Sequence, residues 1–172
     1  GLELDELVGH SLMHMYTSCD DMEGACILFE KFPNPNVVTW STLISGYADN
    51  GFWQESLELY DEMQLEGIPP NTTMYVSILK ACGYLGALYK GQEVHNDIRT
   101  TGSLEADLTI RHSLIDMYAK SGFVARAQEF FSELPIRELA TWNALLAGYA
   151  QHGVAARVFH VFDEMNLEGI RP

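Results

Sequence analysis

His10 and His14 lie four residues apart, a spacing that puts two imidazoles on one face of a helix and suggests a metal pair. Zinc-dependent hydrolysis on that pattern needs a glutamate directly after the first histidine as general base, and Ser11 stands there instead. His95, His152 and His160 have no companions. Cys19, Cys26 and Cys82 form no CxxC pair, and three cysteines without framework spacing fit a reducing compartment and small buried side chains. Asn71-Thr72-Thr73 is formally a glycosylation sequon, which matters only in a secreted chain and is read as chance. There is no Gly-rich phosphate loop, nucleophile elbow or duplicated carboxylate pair. The chemistry left to these residues is recognition, with no catalysis, metal or cofactor expected.

The elements that must position them are set by duplication. Trp40 recurs as Trp142, Gly46 as Gly148, Tyr47 as Tyr149, Gly51 as Gly153, Met63 as Met165 and Gly67 as Gly169, each pair 102 residues apart. The same offset carries His10 onto His112, Phe29 onto Phe131 and Pro33 onto Pro135, whereas His14 falls on Asp116, so no metal pair is duplicated. A fixed offset across so many positions marks a repeat array. Its punctuation divides the chain at 6–36, 37–71, 72–107, 108–138 and 139–172, giving modules of 31, 35 and 36 residues in rotation. Leu2, Glu3 and Asp5 match Leu104, Glu105 and Asp107, so residues 1–5 read as the tail of a preceding long module. The last module lacks its final residue, and the chain is expected to be a window on a longer array.

Each module reads as two short helices. Leu7, Leu12, Met15 and Tyr16 recur near helical spacing before the polar stretch 18–21, and a second helix ends at Pro33 and Pro35. Leu43, Ile44 and Tyr47 mark the next helix, Asn50-Gly51 the turn, and Leu57, Leu59, Tyr60 and Met63 the packing side of a helix from about Trp53 to Glu66. No sustained two-residue alternation calls for a sheet, and no apolar run is long enough to span a membrane. Helices this short are marginal alone and become stable by stacking. The expected fold is all-α, a right-handed α-solenoid of stacked helix-turn-helix repeats, with first helices lining one face and second helices the other.

The net charge of −14 opposes binding to a polyanion unless acids and bases occupy different faces. The acids Glu55, Glu58, Asp61, Glu62 and Glu66 fall in a second helix, whereas Lys80, Arg111 and Lys120 fall in first helices. Tyr16, Tyr47, Tyr118 and Tyr149 recur at repeat-defined positions, a pattern read as interhelix packing in preference to stacking on bases.

The unit VVTWSTLISGYADNGFWQESLELYDEMQLEGIPPN, the segment LKACGYLGAL at Leu79 and IDMYAKSG at Ile115 resemble pentatricopeptide-repeat proteins. The three-length rotation resembles their subclass with standard, long and short repeats, and the likeness runs from Leu2 to Pro172. The resemblance implies single-stranded RNA binding at one repeat per base. In that family the fifth and last residues of a repeat contact the base edge, and the second packs on the base. Carried over, Ser41 and Asn71 select a base and Val38 packs on it, a combination resembling the adenine-preferring type. Asn143 resembles the pyrimidine-preferring type, and the residue that completes its pair lies beyond Pro172. The short modules pair His10 with Asn36 and His112 with Glu138, combinations that leave their base open. Leu7, Thr109 and Ala140 occupy packing positions, the last two small or polar for the role. Val76 stands fifth in the long module, where it cannot bond a base edge.

Proteins with this rotation resemble address-reading factors of organellar RNA editing, in mitochondrion or chloroplast, whose chemistry resides in a separate zinc deaminase domain. No HxE with a CxxC is present in this chain. In the same subclass the long repeat, here Thr72 to Asp107, resembles a docking site for a small accessory protein. A helical scaffold that binds protein partners without reading RNA is the alternative.

Overall fold

The computed structural model describes residues 6–102 and 107–170, so the matches at Leu2, Glu3, Asp5, Leu104 and Glu105 lie outside the described residues. Among these, all regular structure is helical: α1 Glu6–Ser18, α2 Met22–Phe29, α3 Val37–Asp49, α4 Trp53–Leu65, α5 Thr72–Leu85, α6 Leu88–Thr101, α7 Leu108–Lys120, α8 Val124–Ser132, α9 Leu139–Gln151 and α10 Ala155–Leu167. None of them is long and apolar enough to cross a membrane. The chain forms two compact units, Gly1–Ala81 and Cys82–Pro172.

Local chemistry sets the helix ends. Asn36 begins α3, its Oδ1 accepting the Val38 and Thr39 N–H groups at 2.9 and 3.2 Å. Asp107 does the same for α7, accepting from Thr109 at 2.8 Å. After α3 the chain reverses through Gly51 at φ 84°, and the Phe52 N–H returns to the Tyr47 carbonyl at 2.9 Å. The turn after α1 has Asp20 at φ 61°, a left-handed conformation that its counterpart Gly122 adopts at lower cost.

In the first unit α1 packs on α2 and α3, and α3 on α4. Met13, Met22, Ala25, Leu28, Phe32 and Leu43 fill the space between them. The edge of Phe29 meets the Trp40 ring at 4.7 Å between centroids. In the second unit α7 packs on α8 and α9, and Phe131 meets Trp142 at 4.5 Å in the same T-shaped arrangement. Both tryptophans are buried, and truncating either would cost about 3–5 kcal/mol. The recurrence of these residues in the sequence is therefore a recurrence of packing.

The paired glycines have a packing reason as well. A Cβ on Gly46 would stand 2.4 Å from Thr17 Cγ2, and one on Gly148 would stand 2.8 Å from Ala119 Cβ. Neighbouring first helices thus approach closely, α9 reaching the Ala119 backbone of α7 and α3 lying against the Thr17 side chain of α1. Asn50 fastens the first of these contacts, its amide donating to the Thr17 carbonyl at 2.8 Å and the Gly46 carbonyl at 2.9 Å.

Candidate functional site

Ser41, on α3, and Asn71, just before α5, are 30 positions apart in sequence and meet in space. The Ser41 hydroxyl donates to Asn71 Oδ1 at 3.4 Å, and the same oxygen accepts the Met74 N–H at 2.9 Å. A backbone N–H can only donate, so the carbonyl side of the Asn71 amide faces the protein and its NH2 is turned away. Asn71 thereby caps α5 and offers donors outward. Ser41 is 8% exposed and borders a groove of about 560 Å³, lined with Thr17, Ser45 and Asn50 on α1, α3 and the turn after it. The groove wall is rich in hydroxyl and amide groups, suited to hydrogen bonding.

The first short module brings His10 and Asn36 together through Thr39. His10 Nε2 lies 2.9 Å from Thr39 Oγ1, and that hydroxyl donates to Asn36 Oδ1 at 3.3 Å. The His10 ring also stacks on Phe32 at 5.2 Å. In the second short module His112 Nδ1 stands 3.9 Å from Glu138 Oε2, within ion-pair range when the imidazole is protonated. Glu138 precedes α9 with extended backbone but makes no side-chain capping bond. Asn143 is exposed on α9. Of the residues expected to pack on bases, Val38 is 48% and Leu7 77% exposed, and Thr109 and Ala140 also face solvent.

The charges are arranged differently from the sequence expectation. Lys80, Arg111 and Lys120 do lie in first helices, but each is held by a carboxylate: Lys80 by Asp49 at 2.9 Å, Arg111 by Glu133 at 3.1 Å and Lys120 by Asp116 at 2.6 Å. Sequence position located these cations without showing their partners, which come from elsewhere in the fold or one turn away. The Lys80–Asp49 pair is exposed on both sides, and such a pair is worth little and is screened by salt. The α4 acids Glu55, Glu58, Asp61 and Glu62 are exposed to solvent.

The recurring tyrosines point into the packing. Tyr118 bonds His95 Nδ1 at 2.9 Å, Tyr47 meets Cys26 Sγ at 2.9 Å, and Tyr149 bonds Gln128 at 3.3 Å. Burial raises the Tyr118 phenol above its ordinary pKa, with Arg126 pulling weakly the other way. Burial also raises Tyr47, reinforced by Cys26. Among the cysteines, Cys82 is buried and Cys26 half-buried, but Cys19 is exposed, because it sits in the turn after α1 and not on a packed face. No cluster of three metal-ligating side chains occurs among the described residues.

The helix-capping role of Asn36, Asn71 and Asp107 is the functional feature that the sequence reading passed over. Its signal was available: a short polar side chain directly before an apolar helical run.

Comparison with known proteins bears on what these pairs belong to. The profile of the PPR repeat family matches residues 35–83, and the PPR repeat profile matches 112–138 and 140–170. The chain belongs to the pentatricopeptide-repeat family. It is 40% identical, over 95% of its length, to a chloroplastic pentatricopeptide repeat-containing protein of Arabidopsis thaliana, of which it covers 22%. It is 34% identical over its whole length to a putative mitochondrial member from the same plant, covering 27% of it. The chain thus spans about a quarter of the length of these relatives. Its fold is that of the pentatricopeptide repeat protein PPR10, solved in complex with an 18-nt psaJ RNA element, with TM-score 0.77 at 20% identity, covering 98% of this chain and 26% of that one. Nuclear proteinaceous RNase P 2 of A. thaliana is more distant, with TM-score 0.68 at 15% identity, covering 91% and 37%.

Proposed function

We propose that this chain binds single-stranded RNA at one module per base, as the address-reading part of an organellar RNA-editing or RNA-processing factor. The observation that carries the reading is the convergence of the fifth and last residues in three modules: Ser41 with Asn71, His10 with Asn36 through Thr39, and His112 with Glu138. Asn71 turns its amide donors outward, complementary to adenine N1, and the small Ser41 leaves room for a purine. Val38 and Leu7 expose apolar surface on which a base can pack, with Thr109 and Ala140 as smaller platforms. Asn143 contributes an exposed amide from the last module. The RNA-bound PPR10 structure supports an RNA ligand, and the chloroplastic and mitochondrial names of relatives support an organelle.

A second reading, docking of a protein, is favoured by one observation. Helices α6 and α8 line a pocket of about 190 Å³ with His95, Arg99, Arg126, Glu129, Phe130 and Glu133, charges of both signs beside an aromatic ring. Part of this surface belongs to the long module, the stretch that the family resemblance makes a candidate docking site for a small accessory protein.

Fluorescence anisotropy with short single-stranded RNAs that differ only at the base opposite Ser41 and Asn71 tests the main reading. Adenine should bind tightest, and the preference should survive while affinity falls with salt. Equal binding of all four bases at this position would refute it.

A further inference from the structure

One hydroxyl ties the first short module to the module that follows it. Thr39, the buried third residue of module 37–71, places its Oγ1 2.9 Å from Nε2 of His10, which belongs to module 6–36. The same oxygen stands 3.3 Å from the Asn36 backbone nitrogen and 3.3 Å from Asn36 Oδ1. Counting hydrogens gives the direction of each bond. The Asn36 N–H can only donate, so it takes one of the two lone pairs on Oγ1. Asn36 Oδ1 receives the Val38 and Thr39 N–H groups at 2.9 and 3.2 Å, which identifies it as the carbonyl side of the amide, an acceptor only. The single hydroxyl proton therefore lies toward Oδ1. Turned to His10 instead, it would leave Oγ1 and Oδ1 facing each other lone pair to lone pair. One lone pair on Oγ1 remains, and Nε2 must meet it with a hydrogen of its own.

A neutral imidazole carries one N–H, and the bond made by one ring nitrogen decides the state of the other. With the hydrogen on Nε2, Nδ1 keeps its lone pair. Nδ1 has no hydrogen-bond partner among the described residues and is not shut off from solvent. Phe32, stacked on the ring at 5.2 Å and 15° between planes, holds the imidazole in its plane. The second short module carries the same pair without the bond. Thr141 Oγ1 and His112 Nε2 are both buried with no hydrogen-bond partner among the described residues, and Glu138, in place of Asn36, gives α9 no side-chain cap. That copy lacks the inward amide oxygen that orients the Thr39 hydroxyl.

We infer that Thr39 is a positioning residue for module 6–36: it locks His10 as the Nε2–H tautomer, so that the nitrogen left for a ligand is always an acceptor. A residue of one module thereby sets the selectivity of the module before it. This functional half rests on the RNA-binding reading above, whereas the tautomer does not. Long-range proton–nitrogen NMR correlation on the isotope-labelled 172-residue chain, at a pH where imidazole is neutral, reads the tautomer, with His10→Gln identifying the signal. His10 should be in the Nε2–H form. Thr39→Val, which removes the hydroxyl, should give a mixture of tautomers, and Thr39→Ser should restore the single form. In a second arm the chain is titrated with uridine-background oligonucleotides carrying adenine beside a base X, in both orders, with X each of the four bases. In one order the spread between the tightest and weakest X should be about tenfold in the wild type, about threefold in Thr39→Val and wide again in Thr39→Ser, with the adenine preference at the Asn71 position intact throughout. A mixed or Nδ1–H His10 in the wild type, or a tautomer indifferent to Thr39→Val, would overturn the inference and leave the RNA reading standing. A locked tautomer with a spread at X that Thr39→Val does not narrow would overturn the positioning role. Absence of adenine selection, or of binding, in the wild type would overturn the RNA reading and the functional half with it.

Discussion

Replacing Asn71 by Asp isolates a single hydrogen-bond polarity. The Asn71 carbonyl oxygen receives the Met74 N–H at 2.9 Å and the Ser41 hydroxyl at 3.4 Å, so the helix-capping half of the amide and the outward half are separable. Aspartate keeps an oxygen at the capping position and is as good an N-cap as asparagine, so stability should change by no more than a few tenths of a kcal/mol. Outward, an NH2 donor becomes an oxygen acceptor. Adenine N1 then faces a lone pair, and guanine N1–H gains a partner. One such exchange at a base edge is worth about 1–3 kcal/mol. At about 2 kcal/mol the adenine-to-guanine ratio should turn by about 30-fold. The ratio is the right quantity, because a further carboxylate on a chain of net charge −14 weakens every RNA alike. Competition anisotropy with oligonucleotides differing at that one base measures the ratio, and a urea melt verifies the fold. An unchanged ratio in a variant with wild-type stability would refute the assignment of Asn71 as a base-reading residue.

Three further outcomes follow from the packing and the charges. Asp49→Asn and Asp116→Asn each release a lysine from its ion pair, and should raise RNA affinity at low ionic strength and steepen the log affinity against log salt line by about 0.7 apiece; an unaltered slope would mean that Lys80 and Lys120 do not reach phosphate. Gly148→Ala drives a Cβ to 2.8 Å from Ala119 Cβ and 3.2 Å from its Cα, which the α7 backbone cannot easily yield, so chemical denaturation should show a loss of about 1–3 kcal/mol. Tyr118→Phe removes the hydroxyl 2.9 Å from His95 and should cost about 1–2 kcal/mol at neutral pH. Because burial raises the folded-state pKa of Tyr118, its contribution is complete below the unfolded value near 10 and is lost as pH climbs through the folded one. The wild type should therefore lose more stability than Tyr118→Phe between pH 8 and 11, and equal losses in urea midpoints would contradict that account.

What the sequence made legible was whatever duplication repeats. Trp40 with Trp142 and Phe29 with Phe131 recur because the same T-shaped contact is built twice, and Gly46 with Gly148 because the same two first helices touch twice. Helix positions followed from apolar spacing and from turn residues such as Gly51. The charges were harder to read, since the partner of Lys80 is 31 residues away and that of Arg111 is 22 away, distances over which one sequence carries no pairing signal. The same holds for amide orientation: that Asn71 turns its oxygen inward depends on where the Met74 N–H lies, which only coordinates supply. Cys19 escaped the expectation of burial because residue type speaks for the average cysteine, and this one falls in a turn.

The close approach of first helices at Gly46 and Gly148 has a consequence for distance measured along a ligand. The absent methyl group sets how closely one first helix follows another, and so the interval between successive reading residues. In the proposed mode a nucleic acid strand must advance by one nucleotide for each such interval. A side chain at either glycine would lengthen one step within its own unit and put the two neighbouring modules out of phase with their bases. In that mode each glycine would act as a spacer within its own unit, touching no nucleotide yet fixing the step between the two readings on either side of it.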